Sequence, residues 1–66
     1  MSAVSEAAFA LIEAHRRGEA RLSRKAGSLC GQCIVDPTPL STAQAEWINA
    51  LLEKAGLPTL EVRHEA

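Results

Sequence analysis

Residues 41–58 read STAQAEWINALLEKAGLP, and this stretch marks both ends of a single helix. Ser41 stands where an N-cap belongs, and Gln44 stands three residues on. A serine oxygen there accepts the N3 amide while the glutamine side chain returns to the cap's own amide, which is a capping box. Gly56 occupies the position after the last turn that favours positive φ, Leu57 can fold back onto Leu52, and Pro58 prevents continuation. Trp47, Ile48, Leu51, Leu52 and Ala55 follow helical spacing, with Glu46, Glu53 and Lys54 on the other side. Burying the four large apolar side chains would stabilise a fold by roughly 1.5–3 kcal/mol each. The expectation is that this helix anchors the core.

Upstream, DPTPL at residues 36–40 places two prolines one residue apart. Neither can continue a helix, and Pro39 pushes Thr38 towards extended geometry, so the segment is a rigid connector.

Residues 22–35, LSRKAGSLCGQCIV, carry small or apolar side chains at Leu22, Ala26, Leu29, Cys30, Cys33 and Ile34. That spacing is helical, with Ser23 as N-cap. Gly27 and Gly31 share a face and cost a helix about 1 kcal/mol each relative to alanine. Close approach of another backbone is the expected compensation.

Residues 4–17, VSEAAFALIEAHRR, form an amphipathic helix. Val4, Ala8, Leu11, Ile12 and His15 fall on one arc of about 100°, with Glu6, Glu13 and Arg17 opposite. Ser2 or Ser5 is a candidate cap, and Gly18 a stop. The sequence therefore predicts an all-α fold, with a three-helix domain over residues 1–58 and a short flexible C-terminal tail over residues 59–66.

A chain of 66 residues makes one small domain. A core of that size rarely supplies more than roughly 3–5 kcal/mol. Aromatic residues are scarce: Phe9, Trp47 and no tyrosine. Net charge is −1, but residues 1–33 sum to +2 and residues 34–66 to −3. No apolar run reaches the ~18–20 residues a bilayer span needs, and the N-terminus lacks the pattern of a secretory leader. The expectation is a cytoplasmic protein with no membrane partner.

Cys30 and Cys33 have the C-x-x-C spacing of half a zinc site, and His15 and His64 could complete four ligands. Their spacings match no zinc-finger framework, and both cysteines fit a helix face as small core residues. No metal or other cofactor is favoured. CGQC resembles a dithiol redox motif, but such motifs sit at a helix N-terminus after a strand, where the dipole lowers the first thiol's pKa. This pair falls in the second half of a helix.

There is no phosphate-binding loop, nucleotide fingerprint or nucleophile elbow. His15 with Glu19 reads as a helix-end pair, and Ser23 and Ser41 read as caps. The chain is expected to be no enzyme.

The basic run HRRGEARLSRK over residues 15–25 holds Arg16, Arg17, Arg21, Arg24 and Lys25. With the small residues Gly27 and Gly31 it forms the candidate partner-binding surface. A protein partner is expected, with nucleic acid as the alternative, since basic side chains meeting a helix start can take phosphates. A helix-turn-helix fits poorly: the connector exceeds the usual 3–4 residues, and the last helix is acidic. A homodimer through the small-residue face remains open.

LSRKAGSLCGQ followed by PLSTAQAEWINALLEKAGLP resembles a loose group of short phage and prophage proteins of uncharacterised function. Residues 22–58 carry the likeness, and the cysteines are not part of the shared pattern. The resemblance implies a phage or mobile-element setting without particular chemistry. In that setting such small proteins include inhibitors of host defence, anti-CRISPR proteins among them.

Overall fold

The structure, a computed structural model, describes residues 3–37 and 39–60. Three helices follow in order: α1, Ala3–Arg16; α2, Arg24–Val35; and α3, Thr42–Lys54. No strand occurs among the described residues, so the fold is all-α, as the spacing of apolar residues predicted.

The local start and stop signals work as read. Ser41 Oγ accepts the Gln44 amide at 3.2 Å, and Gln44 Oε1 accepts the Ser41 amide at 3.0 Å. Gly56 adopts φ 71°, the Leu57 amide donates to the Leu52 carbonyl at 2.9 Å, and the Gly56 amide donates to the Glu53 carbonyl at 3.1 Å. These are the two bonds of a Schellman stop. α1 ends the same way: Gly18 takes φ 78°, with Glu19 bonded to the Ala14 carbonyl at 2.9 Å and Gly18 to that of His15 at 3.0 Å. Ser23 caps α2, its Oγ accepting the Ala26 amide at 3.1 Å.

α1 and α2 run antiparallel and approach each other closely, while α3 meets α1 over a shorter stretch. Ala8, Leu11, Leu29, Cys30, Cys33, Ile48 and Leu52 form one buried cluster. α1 and α2 supply most of it. Only Ile48 and Leu52 of α3 are buried.

Trp47, expected in the core, is 39% exposed, and Leu51 is half-buried. α3 rests on its Ile48–Leu52 row, one turn apart, and Trp47 stands about 100° round the helix from Ile48. α3 therefore holds to the core through Ile48 and Leu52, and Trp47 does not share in it as expected.

Ser5 is no cap either. It lies inside α1, buried, and its hydroxyl donates to the Cys33 carbonyl at 2.8 Å. Pro37 supplies the reason. In an α-helix the Cys33 carbonyl would accept from the residue four positions on, and proline has no N–H to give. Ser5 supplies the missing donor from the neighbouring helix.

Beyond Pro58 the chain still touches α3. Asn49 Oδ1 accepts the Leu60 amide at 2.7 Å, and Asn49 Nδ2 donates to the Leu60 carbonyl at 3.1 Å. Leu60 packs half-buried against the core. The rest of the expected tail, residues 61–66, lies outside the described residues, as do Ser2 and Thr38.

Candidate functional site

The turn between α1 and α2 gathers the chain's positive charge. Arg16, Arg17, Arg21, Arg24 and Lys25 are all exposed there. Arg16 pairs with Glu13, its Nε 3.3 Å from Oε1, one turn back on α1. Among the described residues the other four cations have no ion pair. Surface charges left unpaired keep their hydration until a partner displaces it, so this corner is the part of the molecule most able to take an anionic group.

His15 shapes the same corner. The expectation that it joins the buried arc of α1 fails: the ring is exposed. It sits in the last turn of α1, next to the final residue Arg16, where the chain turns towards α2. There its Nδ1 accepts the Leu22 amide at 3.0 Å. The imidazole thus satisfies a backbone donor just ahead of α2 and pins the turn. Two shallow grooves flank it. One is lined by Ile12, His15, Leu22, Ser23, Arg24 and Gly27, the other by His15, Gly18, Glu19, Ala20 and Arg21.

Gly27 and Gly31 were expected to admit another backbone, from this chain or from a partner; within the chain, among the described residues, they admit none. A Cβ built on either would meet nothing within 4 Å. The two glycines face open space on α2, and Val35, 85% exposed, lies one turn beyond Gly31.

Cys30 and Cys33 are free thiols, both buried in the hairpin between α1 and α2. Burial pushes both thiols above their ordinary pKa, and for Cys30 the neighbouring Cys33 adds to the rise. A thiolate is the nucleophilic and metal-binding form of cysteine, and this environment disfavours it.

His15 does not join the pair. Ser5 marks the cysteine end of α1 and His15 lies ten residues further on, about 15 Å along the axis at 1.5 Å per residue. Among the described residues no three of His, Cys, Asp and Glu come together as a metal cluster. His64 lies outside the described residues. The structure thus brings together the five basic residues and His15, places Gly27 at the edge of that corner, and sets the cysteines apart from it.

The sequence reading missed three residues that matter here: Ser5 as a buried donor, His15 as a turn lock and Asn49 as the clamp on Leu60. The absent N–H of Pro37 was a visible signal for the first. The other two depend on where loops return, which helical periodicity does not encode.

No helix among the described residues is long and apolar enough to cross a membrane. No family model matches the chain, and neither a curated protein nor a solved structure matches it.

Proposed function

We propose that the chain is a small, non-enzymatic, cytoplasmic accessory protein of phage or prophage type that acts by docking onto another protein. The observation that carries this reading is the α1–α2 corner, where Arg17, Arg21, Arg24 and Lys25 are exposed without an ion pair among the described residues. Beside it, the open glycine face of α2 leaves room for a partner's backbone to come close. Cations at the rim of an interface steer an acidic partner and fix its register. The phage setting rests on the resemblance of residues 22–58, and inhibition of host defence is the role that setting suggests.

Affinity capture from the host tests the reading, with identification of what co-purifies. The expected result is one protein retained after nuclease treatment and lost with Arg24→Glu combined with Lys25→Glu. Recovery of nucleic acid instead, with binding falling steeply as salt rises, would replace the protein partner by the nucleic-acid reading of the same cations. Capture of neither overturns both.

A further inference from the structure

We propose that the groove lined by Ile12, His15, Leu22, Ser23, Arg24 and Gly27 seats a single carboxylate presented by the partner protein. This deepens the docking reading and rests on it. His15 is the first reason. Its Nδ1 accepts the Leu22 amide at 3.0 Å, and a nitrogen that accepts a hydrogen bond carries no proton. The neutral ring therefore holds its proton on Nε2, in a tautomer fixed by the backbone, with one N–H left to give. A partner anion is the natural acceptor at this corner.

Ser23 is the second donor. Its Oγ accepts the Ala26 amide at 3.1 Å, which leaves the hydroxyl hydrogen free to turn towards a ligand. Arg24 is the third, exposed and without an ion pair among the described residues. Its planar guanidinium matches the two oxygens of a carboxylate. Ile12 and Leu22, both half-buried, give the groove an apolar wall against which the methylene stem of an aspartate or glutamate can lie. Gly27 leaves the groove open, since a Cβ there would meet nothing within 4 Å.

The distribution of charge favours one carboxylate over a run of phosphates. Glu13 sits beside Arg16, and Glu19 shares the neighbouring groove with Arg21. These carboxylates offset part of the positive charge that a polyanion laid across the corner would meet, whereas an isolated acidic side chain seated by Arg24 avoids them.

The test is a titration of the full-length 15N-labelled protein with the sodium salt of N-acetylglutamate α-methylamide, which carries one carboxylate, followed by NMR, with sodium chloride at matched ionic strength and inorganic phosphate as separate arms. Saturable shifts are expected at the His15 ring and at the Ser23 and Arg24 amides, and not with chloride. Arg24→Gln should weaken binding about tenfold. His15→Asn should do the same, since its Oδ1 can stand where Nδ1 stands and keep the Leu22 bond while the Nε2 donor is lost. An unshifted Leu22 amide in His15→Asn reports that the turn is intact. Shifts no larger than with chloride, an affinity in either variant equal to that of the unsubstituted protein, or saturation by phosphate at far lower concentration than by the carboxylate would each overturn the proposal. A captured partner with a silent groove removes this inference alone, and a responsive groove with no captured partner removes the docking reading.

Discussion

In the α1–α2 hairpin the decisive bonds are tertiary: Ser5 to the Cys33 carbonyl at one end and His15 to the Leu22 amide at the other. In α3 they are mostly local, with a complete capping box at one end and a Schellman stop at the other. Yet α3, with the clearest sequence signature, places only Ile48 and Leu52 in the core, while the glycine-containing α2 buries Ala26, Leu29, Cys30 and Cys33. Strong local signals define where a helix begins and ends. How much of it is buried depends on what it meets.

The largest effect that separates the two regions comes from the core leucines. Leu11 and Leu52 are both fully buried. Leu→Ala changes at such sites cost about 2–5 kcal/mol. Leu11→Ala, enclosed between helices, should fall at the upper end and leave the chain largely unfolded. Leu52→Ala, in the last turns of α3, should fall at the lower end. Chemical denaturation followed by circular dichroism measures both, and the reverse order would move the centre of the core to α3.

Next come the polar links. Ser5→Ala leaves the Cys33 carbonyl buried without its cross-helix donor, at a cost of about 1–3 kcal/mol. Ser41→Ala removes an exposed cap, at about 1 kcal/mol. If the two cost the same in denaturant titrations, the hairpin has no special dependence on its tertiary bond.

Gly31→Ala should have the opposite sign. With nothing within 4 Å of the added Cβ, the helix should gain up to about 1 kcal/mol. A loss of stability in thermal melts would mean that another segment covers that face.

The smallest effect concerns alkaline pH. Burial lifts both thiols in the folded chain, so the unfolded chain gives up these protons at lower pH than the fold does. Their stabilising contribution is full below the ordinary thiol value, about 8.5, and is lost as pH rises from there through the folded values. Stability should decline over that range, and Cys30→Ala combined with Cys33→Ala should flatten the decline.

The comparison also explains what the sequence made legible. The Ser41 box, the Ser23 cap and the Gly18 and Gly56 stops each depend on residues within one turn of one another, and all were readable. The basic corner was readable as a run of charges. Three features were not: that Ser5 answers a carbonyl orphaned by a proline 32 positions later, that His15 turns outward to hold Leu22, and that Trp47 is left partly in solvent. Each depends on how helices meet across the loops. Periodicity gives each helix an apolar side but not the width of that side its neighbours cover.

The central claim is that the Cys30–Cys33 pair belongs to the interior of the hairpin and takes no part in surface chemistry. Thiol labelling of the native protein across a denaturant series tests it most directly. Both cysteines should label only through global opening, with a free energy equal to that of unfolding and the same dependence on denaturant. Rapid labelling of either thiol in native buffer, at the rate of an exposed cysteine, would contradict it.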